Sequence, residues 1–200
     1  MPDPLAELFS SRVRAAVLTL VLPRPHLAFS LTDLSRRLGL PVSSLQHECY
    51  KLTRLGLLRD ERVGNAHLYR PDPAWPLLEP LTALTVRAVP LEDALRAAVE
   101  GVPAIAGAWV GGDLVSQSNP VYVVVLGNLG IEDLDGIFDR CLVALVPLVD
   151  ARRVELAYFR PVDWKGRMAR GDPFATSLCE GQRIELCAFG RDARQESDVA

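Results

Sequence analysis

Cysteine is sparse and poorly placed for chemistry. The four cysteines, Cys49, Cys141, Cys179 and Cys187, include no Cys-x-x-Cys pair, which excludes the common zinc frameworks and a disulfide-built secreted fold. Among apolar neighbours they read as reduced core thiols; the competing reading makes Cys179 and Cys187 a redox pair. Histidine is rarer still: His26, His47 and His67 are the full set, and none share the spacing of a helix-borne metal site. No Gly-x-Ser-x-Gly turn is present to expose a nucleophilic serine. No stretch reaches the roughly 18 consecutive apolar residues of a membrane span, and MPDPLAELFSSR does not resemble a signal peptide. The expectation is a cytoplasmic protein that uses no metal or cofactor and meets no membrane.

What is present begins with helical periodicity. Over residues 5–22 apolar side chains fall at Leu5, Leu8, Phe9, Val13, Ala16, Val17 and Leu20, the three-and-four spacing of a helix with one buried face; Pro23 and Pro25 end it. Residues 30–38 predict a short helix, capped by Ser30 or Thr32 and closed by Gly39. After the turn LGLPV a second helix is expected over residues 43–55, with Leu45, Cys49, Leu52 and Leu55 as its core stripe. Its outward set is then Ser43, Ser44, Gln46, His47, Tyr50, Lys51 and Arg54, with Glu48 the one acidic residue among them. Such side chains donate to phosphates and to base edges. Ser43, Ser44, Gln46 and His47 are the candidates for base contact, Lys51 and Arg54 for backbone.

The next stretch, LGLLRDERVGNAHLYR, predicts a β-hairpin turning at Gly64 and Asn65, with Arg59, Arg62, His67 and Arg70 upon it. Arginine near such a hairpin tip enters a minor groove or clamps phosphate; the alternative is a set of ordinary solvated charges. Residues 1–72 hold ten Lys and Arg against seven Asp and Glu, and the remainder twelve against eighteen. A mildly basic first part and an acidic second part imply different partners.

Pro71, Pro73, Pro76 and Pro80 mark a boundary. Residues 73–100 are expected to form a linker with helices over 77–89 and 91–99. The stripe Leu77, Leu81, Leu84 and Ala88 either joins two copies of the chain or packs within its own monomer. Beyond it, strands at 103–110, 121–126, 154–159 and 183–189 alternate with helices at 131–148 and 162–169, an α/β layout in which roughly 100 residues bury one small sheet. The organisation expected is therefore α+β or α/β in two domains, 1–72 and 101–190, with a polar tail over 191–200 that is expected to be disordered.

Residues 107–127, GAWVGGDLVSQSNPVYVVVLG, carry a glycine frame that resembles the signature of polymerase-beta-like minimal nucleotidyltransferases with its carboxylates replaced. Laid over that pattern without a gap, Gly107 and Ala108 fall on its Gly-Ser pair, Gly112 and Asp113 on Gly-Glu, Ser118 on the serine, and Asn119 and Val121 on the two aspartates. Residues 1–72 resemble an ArsR-like winged helix-turn-helix. The order LFSSRVRAAVLTL, TDLSRRLGLPVSSLQHECYKLTRLGLL, GNAHLYRPDPAWPLLEPL, glycine frame, RMARGDPF and RIELCAFG is similar, over residues 5–190, to bacterial and archaeal transcriptional regulators in which a winged helix precedes a nucleotidyltransferase-like domain.

That resemblance implies a homodimeric regulator that reads double-stranded DNA, with a C-terminal mixed sheet and helices acting as a sensing or assembly module for a nucleotide or protein effector. Nucleotidyl transfer needs a divalent metal held by carboxylates. Asn119 and Val121 supply none, Ala108 lacks the serine hydroxyl, Gly111 stands where a basic residue is common, and Glu155 is the nearest acidic replacement. The expectation is a degenerate nucleotide site and no enzyme. An active nucleotidyltransferase acting on protein or RNA and a protein-interaction module are the alternatives.

Overall fold

The computed structural model describes residues 4–114 and 119–188, so Ser118 and the tail expected to be disordered lie outside the described residues. Two compact units divide the chain after Pro90. Each contains one sheet, and with nine α-helices among the described residues the protein is α+β.

The first unit opens with α1 (Pro4–Leu8) and α2 (Arg12–Val21). The single helix expected over residues 5–22 is broken here, because Ser10 takes a φ of 49° and Ser11 caps α2 by accepting from the Arg14 amide. The chain passes through β1 (Phe29–Ser30) into α3 (Leu31–Leu38) and α4 (Val42–Arg54). Ser30 and Asp33 cap α3 reciprocally, each side chain accepting from the other's backbone N–H. Gly39 ends it with a φ of 65°, the left-handed cap that glycine adopts without strain. Ser30→Ala is expected to cost about 1 kcal/mol in urea unfolding. The Ser30 hydroxyl is also the main cause holding the Asp33 carboxyl below its ordinary value. A depressed folded-state value makes this contribution complete above the unfolded carboxylate range, about pH 4, and lost as pH falls through the folded value. A Ser30→Ala deficit that stays constant into acid would contradict that coupling.

Leu45, Cys49 and Leu52 of α4 join Leu18, Leu22, Leu34 and Leu57 in one core. Leu55, expected on the same stripe, is 59% exposed, since α4 ends at Arg54 and the chain turns away at Gly56, with a φ of 83°. β2 (Leu58–Val63) and β3 (Ala66–Pro71) form the expected hairpin about Gly64 and Asn65, with β1 on the outer side of β3. Then α5 (Leu78–Arg87) returns to the same core through Leu78 and Leu81. Its buried side runs on through Thr85 and Val86, while Leu77, Leu84 and Ala88 are exposed. Of the stripe expected either to join two copies or to pack within its own monomer, only Leu81 meets the core and the rest is turned outward. The boundary expected at residue 72 moves to residue 90 because α5 completes the first core, and the expected linker 73–100 divides between the two units.

The second unit runs α6 (Leu91–Val99), β4 (Ile105–Gly112), β5 (Val121–Gly127), α7 (Ile131–Leu145), β6 (Val154–Phe159), α8 (Pro161–Ala169), α9 (Pro173–Ser177) and β7 (Arg183–Cys187). Its sheet has the order β6-β5-β4-β7, with β5 and β6 parallel and the other pairs antiparallel. Being central and covered on both faces, β5 reads as an almost unbroken apolar run. Trp109, Val124, Leu126 and Ala157 pack on one face with Trp164, Ala175 and Leu178 of the α8–α9 region. Alternation sends Val121, Val123 and Val125 to the opposite face, where they are fully buried. α6 and α7 are tied together by the Arg140 Nε bond to the Ala98 carbonyl, 2.8 Å long.

Candidate nucleic-acid interface and the glycine frame

The outward side of α4 presents Ser43, Gln46, His47, Lys51 and Arg54 as exposed residues, with Ser44 half-buried. Pro41 at the N-cap offers no side chain to the first-turn amides, so those N–H groups remain open to an anion. Arg54 lies over the exposed Tyr50 ring, 5.8 Å from its centroid. Between α4 and the hairpin runs a groove of about 400 Å³, lined by Ser43, Gln46, His47, Tyr50, Asp60 and Tyr69. Of these, Asp60 and Tyr69 were absent from the sequence expectation, and only the fold brings them alongside α4.

Glu48 departs from expectation. It is not on the outward face but buried, at 4% exposure, with its Oε1 accepting from Arg14 Nε of α2 at 2.6 Å. The helical signal for this was present: Glu48 stands three residues after Leu45 and four before Leu52, on the core side of α4. What periodicity lacks is the counter-charge, which comes from a residue on another helix. The consequence is electrostatic, for it removes the only carboxylate of α4 from the surface that carries Lys51 and Arg54.

The hairpin is less basic than its arginines suggest. Arg59 pairs with Asp72 at 2.7 Å, His67 with Asp60 at 2.9 Å, and Arg70 with Glu61. The Arg59 contact holds the Asp72 carboxyl below its ordinary value. Arg62 makes only a 3.3 Å bond to the Gly64 carbonyl. Three of the four side chains expected to meet nucleic acid are thus engaged with carboxylates, which leaves Arg62 as the best placed of them.

In the second unit the glycine frame is divided. Gly107 and Ala108 lie within β4, buried and paired with Leu126 and Val125 of β5. Being paired in the sheet, the Gly107–Ala108 position is not part of a phosphate-holding loop, and the strand expected to stop at Val110 continues to Gly112. Gly112 has its own structural reason: its φ is 104° and an added Cβ would meet the Pro120 carbonyl oxygen at 2.6 Å. Val121 is buried and in register with Val154, whereas Glu155 is in register with Tyr122. Neighbouring residues on a strand point to opposite faces, so Glu155 and Val121 lie on opposite sides of the sheet and Glu155 does not replace the expected carboxylate. Instead the Arg153 guanidinium donates to the main-chain carbonyls of Asn119 and Asp113. A cation therefore ties together the two segments where the resemblance would place a metal, and nothing in the local spacing announces it.

Among the described residues no three His, Cys, Asp or Glu side chains come together as they would around a metal ion. Burial pushes the thiols of Cys49 and Cys141 up to about 12, so neither supplies a thiolate at neutral pH. Cys179 and Cys187 are half-buried. No helix among the described residues is long and apolar enough to cross a membrane. No family model matches the chain, and no curated protein or solved structure does so either.

Proposed function

We propose that the chain is a DNA-binding transcriptional regulator whose first unit works as an ArsR-like winged helix-turn-helix and whose second unit is a nucleotidyltransferase-like module without turnover. One observation carries the first part: α4 exposes Ser43, Gln46, His47, Lys51 and Arg54 while its only carboxylate, Glu48, is turned inward onto Arg14. A helix end rich in donors and free of acidic charge suits a major groove. The α3–turn–α4 arrangement and the adjoining hairpin support the same reading. For the second part, the support is a mixed sheet holding one parallel pair, combined with Glu155 and Val121 on opposite faces and Arg153 between Asn119 and Asp113. The outward Leu77 and Leu84 of α5 give a homodimer a surface to form on.

Selection of bound duplexes from a random pool tests this directly. The expected product is a paired half-site with centres about 10 base pairs apart, or a multiple of that spacing; failure to enrich any sequence would sink the proposal. Lys51→Ala and Arg54→Ala should each weaken binding to all duplexes and reduce the salt slope by about 1. Gln46→Ala should instead relax preference at one position, at about 1–3 kcal/mol. In the hairpin, Arg62→Ala should weaken binding more than Arg59→Ala or Arg70→Ala, because the last two already spend their charge on carboxylates.

A further inference from the structure

At the carboxyl end of β6, between it and α8, lies a cleft of about 590 Å³. That size falls within the roughly 300–1,000 Å³ of small-molecule sites. The cleft is at the end of the sheet away from Gly112 and Asp113. Phe159 is in register with Leu126 near the end of β5, whereas Gly112 is in register with Val121 at its start.

Residues 160–170 hold four basic side chains against Asp163, inside a unit that carries eleven basic and seventeen acidic residues over 91–200. Helical spacing gathers Asp163, Gly166, Arg167 and Arg170 on the cleft side of α8, and Arg160 stands just before its first turn. Arg167 is held in place by Asp172 at 3.0 Å and by the Phe159 ring, 5.6 Å from its centroid. Arg160 and Arg170 are exposed and have no acidic partner among the described residues. Gly166 leaves room for Arg170 to lie along the helix, since an added Cβ would stand 3.4 Å from its Nη1. The N-cap of α8 makes no side-chain hydrogen bond, so the first-turn amides add to the positive charge beside Arg160.

We propose that this cleft binds a small phosphate-bearing ligand, gripped by the guanidiniums of Arg160 and Arg170 and positioned by Arg167. Guanidinium forks match phosphate oxygens in pairs. Nucleic acid fits less well, because the basic side chains are confined to one cleft in an otherwise acidic unit and form no stripe along which a backbone could run. Binding of the ligand does not depend on the first unit meeting DNA. Its use as the regulator's signal does rest on that reading.

Isothermal titration of the full chain in EDTA with ATP, pyrophosphate and adenosine tests the site without metal. ATP and pyrophosphate should bind and adenosine should not. Tighter binding of ATP identifies an organic phosphate, and equal binding identifies recognition of phosphate alone. Arg160→Gln and Arg170→Gln should each weaken binding about tenfold or more, Arg170→Lys should fall between, and Asp113→Asn at the other end of the sheet should change nothing. Both arginines are exposed, so an unchanged melting temperature verifies that the variants fold. The proposal fails if neither phosphate binds, if binding survives both arginine substitutions, or if those substitutions alter only duplex binding. Loss of DNA binding in α4 variants leaves this titration unaffected, so the two readings fail separately.

Discussion

Arg14→Ala is expected to destabilise the first unit by about 2–3 kcal/mol, with a fall in its melting temperature of roughly 10–20 °C for a domain of this size. The substitution strands the buried Glu48 carboxylate, which then lacks both its counter-charge and its hydrogen bond. The figure is set below that of a fully buried pair because the Arg14 side chain is 33% exposed and water screens it. Hydrogen exchange resolved along the chain is the measurement: protection should fall in α2 and α4 and remain unchanged in β5 and β6. The double variant Arg14→Met with Glu48→Leu should recover most of the loss, since two apolar residues leave no buried charge behind. Equal instability of the single and double variants would show that the ion pair is not the cause. Because this pair seats α4 against α2, the single variant should also bind DNA less tightly in proportion to its unfolding.

Trp109→Ala should cost the second unit about 3–5 kcal/mol. Trp109 is 6% exposed and stands in the middle of its sheet face. Its ring meets Trp164 edge-on at 5.5 Å, and Arg183 lies 5.9 Å from its centroid on β7. Its Nε1 donates to the Leu178 carbonyl at 2.9 Å, which fastens the segment after α9 to β4. Truncation removes the packing and leaves that carbonyl without its partner. Trp109→Phe keeps most of the ring area and should lose about 1–2 kcal/mol, mainly the hydrogen bond. Urea unfolding followed by circular dichroism ranks the two variants, and exchange should rise in residues 105–112 and 173–178 first. A Trp109→Ala deficit below about 1 kcal/mol would mean that this face is not the core of the unit. Arg160 and Arg170 lie outside that packing, so the phosphate titration can be read in a folded protein.

Much of the first unit was legible in advance because its signals are local. Ser30 and Gly39 bound α3 through hydrogen bonds that reach only three or four residues, and Gly64 with Asn65 turns the hairpin over two. The apolar run at β5 was found nearly to the residue, since a strand covered on both faces admits little else. The outward positions of α4 were legible because helical phase places them opposite Leu45, Cys49 and Leu52.

Register and pairing were not legible. The alignment that put Asn119, Val121 and Glu155 into one site rests on order along the chain. Whether Glu155 shares a face with Val121 depends on β6 pairing in register at Val154, and a shift of one residue would reverse the answer. Likewise the periodic stripe of α5 names four apolar residues, but the side that meets the core is chosen by Leu78 and Leu81 packing on residues far away in the chain. The sequence by itself determined where α3, α4, the hairpin and β5 lie, because caps, periodicity and turn residues act over a few bonds. Only the tertiary structure decided that Arg14 neutralises Glu48, that Arg153 joins Asn119 to Asp113, and that three arginines share the cleft beside Phe159. Those contacts are chosen by competition among distant partners for burial and charge, which no local spacing records.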